Sequence, residues 1–289
     1  MRDLSRRSFM KSTAMGITAA GLASAGASSL GANPLGLPIG CQTYPVRALI
    51  AQDFPGTIKT LADAGFTSIE LCSPTGYKEF ADVGTYKGPE LRKILSDSGI
   101  TCISCHFGIK ELQTNLEDRI AWAKDVGLTQ MMVPLLNGPK NPAPDDVKKS
   151  CDDLNVIAAE VAKAGMQQGL HNEGWLGQTM ADGTTKVYDA AFTYLDPKLV
   201  KFQFQVSQIA AGFDAVTYLT KYAGRFISMH CQGWDATNKK IVAMGSPADN
   251  LDWKAIFAAA KTGGIKDYYV EMDLDLMKQS VPYLKSLQV

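Results

Sequence analysis

The sequence predicts an α/β protein whose eight parallel strands close into a (β/α)8 barrel. Two observations carry that expectation: a helix–glycine–strand phrase recurs along the chain, and the strands present faces of opposite polarity. The phrase occurs as "LADAGFTSIEL" (61–71), "LSDSGITCISCH" (95–106), "AKDVGLTQMMVPLL" (123–136), "VAKAGMQQGLH" (161–171), "KYAGRFISMH" (221–230) and "KTGGIKDYYVEMD" (261–273). Glycine ends a helix because, without a Cβ, it enters the left-handed region at little cost. The glycines are Gly65, Gly99, Gly127, Gly165, Gly224 and Gly264. The long gap from Gly165 to Gly224 holds one more unit, "YLDPKLVKFQFQV", in which Asp196-Pro197 breaks the helix instead.

"LPIGCQTY" (37–44) supplies the opening strand, which brings the count to eight strand–helix units. That length suits a closed barrel, and strand–helix alternation implies parallel strands. The competing open, doubly wound sheet calls for a glycine-rich loop after the first strand, where "CQTYPVRALI" stands. The helices carry the matching stripe: Trp253, Ile256, Phe257 and Ala260 follow Asp252 at i, i+3, i+4, i+7. No linker rich in proline, glycine or serine divides residues 33–289, so they read as one domain.

Residues 1–32 are a different material. "SRRSFMK" (5–11) precedes a weakly apolar, alanine- and glycine-rich run with A-x-A sites at Ala23-Ser24-Ala25 and Ala25-Gly26-Ala27. This is the pattern of a twin-arginine export signal, which predicts a periplasmic or otherwise exported protein. The run is too feebly apolar to span a bilayer well, so no membrane span is expected in the mature chain. Of the six cysteines, five fall in or at the end of predicted strands, where cysteine packs as a small hydrophobe. The 289-residue chain is 46% hydrophobic with zero formal net charge, which excludes the basic footprint that nucleic acid demands. A homo-oligomer is compatible with this composition.

The polar strand faces locate a site. "KFQFQVSQ" (201–208) sets Phe202, Phe204 and Val206 against Gln203, Gln205 and Ser207; strand two sets Ile69 and Leu71 against Ser68, Glu70 and Cys72. Apolar faces must meet the helices, so the polar faces line the barrel interior, where they cost free energy unless paired or wet. All three histidines, His106, His171 and His230, fall at predicted C-terminal strand ends, as do Glu70, Glu173 and Glu271. That rim is where barrels carry their active sites. His171 and Glu173 share one face, and with His230 and Glu271 they offer two imidazoles and two carboxylates. Such donors suit an open site for Mn²⁺, Zn²⁺, Co²⁺ or Mg²⁺; the alternative is a hydrogen-bonded network with no ion.

The arrangement resembles the xylose isomerase-like TIM barrels, broadly the sugar phosphate isomerases and epimerases. "LDWKAIFAAAKTGGIKDYYVEMD" (251–273) is similar to their closing unit, "LHNE" (170–173) to a strand-five motif of an exported subgroup, and "SMHCQGW" (228–234) to their H-x-K-D strand seven. The resemblance implies a divalent ion held from strands five to eight, by Glu173 or His171, then position 205, His230 and Glu271. Position 205 departs from it, with glutamine where the family has aspartate, as do Gln208, Gln232 and Gly233. Neutral amides thus replace ionised groups, which should loosen the ion.

The implied function is a sugar or keto-sugar isomerase or epimerase that abstracts a proton next to a carbonyl. Glu173 and Glu271 would serve as base and acid, and the ion, or His106 and His230 in its absence, would steady the developing oxyanion. Candidate sugar contacts are Glu70, Gln205, Gln208, Trp175 and Arg47; Tyr44, Phe107 and Trp234 are further rings that either stack on sugar or pack. The same chemistry serves a 3-keto-glycoside lyase or hydratase. A non-catalytic sugar-binding barrel is the alternative from another class. An endonuclease IV-type nuclease needs more histidines than three.

Overall fold

Eight parallel strands, β1 Gly40–Gln42, β2 Ser68–Cys72, β3 Thr101–His106, β4 Gln130–Val133, β5 Gln167–His171, β6 Val200–Gln205, β7 Phe226–Cys231 and β10 Asp267–Val270, close into a barrel. A computed structural model describes residues 33–289; the predicted signal at 1–32 lies outside the described residues. Each strand pairs with its sequence neighbours, and β10 completes the ring against β1 with Gly40 opposite Tyr269. The two barrel-lining partners of β7 put Gln205 and Tyr269 beside His230. Helices α1 Arg47–Ile50, α2 Phe54–Asp63, α3 Gly88–Asp97, α4 Ile109–Val126, α5 Pro144–Lys163, α6 Val187–Tyr194, α7 Ala215–Lys221, α8 Trp253–Gly263 and α9 Leu274–Ser286 connect them.

The recurrent glycines act as expected: all six have positive φ. Gly264, at φ 93°, closes α8 by donating its N–H to the Ala260 and Lys261 carbonyls. At the other end of α8, Asp252 Oδ1 accepts from the Ala255 N–H at 3.0 Å, a cap whose loss costs about 1 kcal/mol. Trp253, Ile256, Phe257 and Ala260 are buried by that helix, and Phe257 meets Tyr268 of β10 edge-on at 5.1 Å.

Outward-facing Ile69, Leu71, Met131, Leu170, Phe202, Phe204 and Met229 are all fully buried under the helices. The inward face is buried as well, yet polar: Glu70, Ser104, Gln203, Ser228 and His230 are 0% exposed. One element was not expected. After β7 the chain forms an antiparallel hairpin, β8 Gly233–Asp235 with β9 Lys240–Val242, before α8 begins. All six cysteines are free; Cys151 lies on α5 and the other five lie in strands. Among the described residues no helix is long and apolar enough to cross a membrane.

Candidate active site

The deepest part of the site is a carboxylate. Glu70 Oε1 accepts from Ser104 Oγ (2.6 Å) and Gln203 Nε2 (2.9 Å). Its Oε2 accepts from Gln42 Nε2 (2.7 Å) and His230 Nε2 (2.6 Å), with His106 Nε2 at 3.1 Å. Burial alone would raise the Glu70 pKa, but His106 and His230 outweigh it and hold the group well below the carboxylate range.

His230 stands between two carboxylates, Nε2 on Glu70 and Nδ1 at 3.1 Å from Glu271 Oε2. Burial works against its charge, yet Glu271 and Glu70 prevail and push it up to about 10. The rings of His171 and His106 lie 4.5 Å and 5.4 Å from it. His106 Nε2 also faces Gln203 Oε1 at 2.8 Å. His171 is pushed down by burial and by His230, which leaves it neutral at neutral pH; its Nδ1 has no partner.

Above this floor one amide joins two carboxylates. Gln205 Nε2 donates to Glu271 Oε2 at 2.7 Å and to Glu173 Oε1 at 3.2 Å. Gln232 Nε2 adds a third donor to Glu271 Oε2, at 3.3 Å. The Gln205 N–H donates to Asn172 Oδ1 (2.6 Å), which ties the ends of β5 and β6 together and sets the height of that amide. The Glu173 side chain is 41% accessible. Burial would raise it, but His171, His230 and Gln205 take it down to about 2.

Glu173, Gln205, Gln232 and Glu271 line a cleft of about 490 Å³ at the C-terminal mouth of the barrel, with Tyr44 and Arg47 at its edge. A smaller chamber of about 180 Å³ adjoins it, lined by Tyr77, Leu135, His106 and His171 and sharing Tyr44, Glu173 and Glu271.

No family model and no curated protein matches the sequence. Solved structures do match the fold. A sugar phosphate isomerase/epimerase from Parabacteroides distasonis superposes with a TM-score of 0.70 at 21% identity, over 86% of this chain and 93% of that one. The chain has the fold of the isomerase and epimerase barrels. An L-ribulose 3-epimerase superposes at 0.61 and 17% identity, over 86% of this chain and 94% of its own. The IolI protein, solved with a zinc atom, superposes at 0.62 and 15% identity, over 86% and 95%.

Within this isomerase/epimerase fold, two groups of donors compete as a cation site. Glu70, His106 and His230 place ligand atoms within 4.8 Å of one another. That group is already complete, because both Glu70 oxygens are saturated by donors and Glu70 and His230 are wholly buried. The upper group fits better. Glu173 and Glu271 converge on the Gln205 amide, whose Oε1 is buried without a donor, and His230 Nδ1 meets Glu271 Oε2 beside them. An amide turned over would face that oxygen toward both carboxylates, an arrangement that favours a hard cation. Glu70 then fixes the His230 ring from behind, as outer carboxylates do for metal-bound imidazoles. Of the two strand-five candidates Glu173 reaches Gln205, while His171 Nε2 stands 3.6 Å behind it.

Three expected sugar contacts are placed elsewhere. Glu70 has the predicted face but not the height: it is sealed beneath the cleft, since alternation along a strand reports side and not depth. Gln208 leaves the cleft because β6 ends at Gln205 and the chain turns into a 3-10 helix over Val206–Ala211, which brings Ser207 to the lining instead. Trp175 packs: it is buried, its Nε1 donates to the Pro139 carbonyl at 2.9 Å, and its ring lies against Gly138. Phe107 is likewise buried, edge-on to Trp122. Arg47 and Gln205 do line the cleft. Gln42, Ser104 and Gln203, the donors that complete Glu70, had no assigned role in the sequence, although the inward strand face that holds Gln203 was the available signal.

Proposed function

We propose that the protein is a sugar or keto-sugar isomerase or epimerase that removes a proton beside a carbonyl. One observation carries this reading: Glu173 and Glu271, from different strands, meet at a single amide over a buried imidazole in one open cleft. Glu173 has one amide donor and is half-exposed, so it is the carboxylate free to swing onto a substrate C–H and take the proton. Glu271 is held by His230, Gln205 and Gln232, which suits it to orient a hydroxyl and return a proton on the opposite face. His106 reaches the smaller chamber with a ring anchored by Glu70 and Gln203, positioned to donate to a substrate oxygen.

Glu173, His230, Glu271 and the Gln205 amide oxygen would hold a divalent ion. When bound, the ion would polarise the substrate carbonyl and offset the negative charge that develops as the proton leaves. The same proton abstraction would begin a β-elimination from a keto-glycoside. Solved relatives of the fold that are described as epimerases favour the general kind.

A second reading, a sugar-binding barrel without turnover, is favoured by Gln205 itself, a neutral amide at a position where a carboxylate would strengthen the ion. Incubating the purified mature protein with ketohexoses and ketopentoses in deuterated water tests both readings. Isomer or epimer products carrying deuterium support the enzyme; bound sugar with no exchange supports the binder. The reading also includes export through the twin-arginine pathway, supported by residues 5–11. N-terminal sequencing of protein recovered from the periplasm checks it, with the chain starting after residue 25 or 27 as the expected result.

A further inference from the structure

We infer that this cleft takes an uncharged sugar and rejects phosphorylated ones. The inference rests on the sugar-site reading above for the kind of ligand, but not on any proton transfer.

Charge is the first argument. Among the described residues lining the cleft and its side chamber, Arg47 is the one lysine or arginine, against the carboxylates of Glu173, Glu271 and Asp273. A divalent ion held by Glu173 and Glu271 would bring that lining to neutrality and leave no surplus for a dianion. Arg47 is also committed: its guanidinium stacks over the Tyr44 ring, 4.2 Å from the centroid, and Nη1 donates to the Tyr44 carbonyl at 2.9 Å.

The second argument is positional. Barrels of this architecture commonly bind phosphate where the loops after the seventh and eighth strands offer free backbone N–H groups. Here the loop after β7 spends its N–H groups on the chain's own carboxylates, and a carboxylate stands at the cleft side of the helix after β10. After β7, Asp249 Oδ1 accepts from the Trp234 N–H (3.1 Å) and the Leu251 N–H (3.2 Å). Its Oδ2 accepts from the Gly245 N–H (2.9 Å) and Trp253 Nε1 (2.7 Å), and Asp252 caps α8. After β10, Asp273 sits at the start of α9 with Asp275 in the first turn. Asp273 makes no capping bond and lines the cleft, so the positive end of that helix already faces a carboxylate.

The rim supplies the third argument. Tyr44 and Ile241, 41% and 39% exposed, stand at the cleft edge with Leu276. They offer an apolar surface for the C–H face of a sugar ring, not counter-charge for an anion.

Calorimetric titration of the mature protein with neutral ketohexoses and ketopentoses and with their monophosphate esters tests this. Binding of a neutral sugar, with its ester at least about 100-fold weaker, is expected from like-charge juxtaposition. Asp273→Lys should narrow the gap between ester and neutral sugar about tenfold. An ester that binds as tightly as its parent sugar overturns the inference, and so does a panel in which no neutral sugar binds. Selective binding of a neutral sugar that never exchanges its C–H with deuterated water would sink the enzymatic reading and leave this inference standing.

Discussion

His230 Nε2 donates a 2.6 Å hydrogen bond to Glu70 Oε2 at the centre of the barrel, where both side chains are wholly buried. This pair is the footing of the site. Glu70 also collects Gln42, Ser104 and Gln203, so a single carboxylate from β2 fixes donors from four other strands. A buried charge is tolerable when every oxygen is paired, and removing it strands its partners.

Glu70→Ala should therefore destabilise the fold by about 3–5 kcal/mol. Glu70→Gln, which keeps the volume but loses the charge, should cost less. Urea unfolding followed by circular dichroism measures both; a change under 1 kcal/mol for Glu70→Ala would mean that the network does not hold the barrel together.

Stability should depend on pH in a defined way in the metal-free protein. His230 rises from 6.5 to about 10 on folding, so the folded state binds its proton more tightly. That contribution is fully present below about pH 6.5 and is lost as pH climbs toward 10. Glu70 and Glu271 move the other way, below 4.5. Their contribution is present above about pH 4.5 and fades as pH falls. Urea midpoints between pH 3 and 10 should form a dome that declines on both sides, and a flat alkaline limb would remove the His230 pairing from the account.

Gln205→Asp restores a charge beside Glu173 and Glu271. Affinity for Mn²⁺ or Zn²⁺ should increase at least about tenfold, because a hard cation gains a full opposite charge in place of an amide oxygen. Calorimetry of the wild type and the variant reads the difference. Equal affinities would show that position 205 does not face the ion.

Trp175 provides a control. Trp175→Phe removes the bond to the Pro139 carbonyl, so it should cost about 1 kcal/mol of stability with KM and kcat unchanged. A raised KM with normal stability would return this ring to the substrate.

The fold was legible because its signals are local. Gly127 and Gly264 end helices with φ near 90°, and that requirement is written in the residue itself. The face of each strand was legible too, since Gln203 and Gln205 alternate with Phe202 and Phe204 for a geometric reason. Height along the barrel axis was not, because it depends on how neighbouring strands are staggered; hence Glu70 proved to be floor and not wall. Strand ends were a further blind spot. One turn after Gln205 carried Gln208 away, and the available cue was that Gln208 falls in the phase of Phe202, Phe204 and Val206, where the alternation breaks. The hairpin over 233–242 had a readable cue, Asn238 beside Lys239 at φ 51° between two short apolar-containing segments.

The most direct test is solvent proton exchange at the substrate carbon by the wild type, Glu173→Gln and Glu271→Gln, each shown by calorimetry to bind the same sugar. The account predicts deuterium incorporation by the wild type and a loss of roughly 100-fold or more in each variant, with the fold intact. Exchange at the wild-type rate in either variant would contradict it.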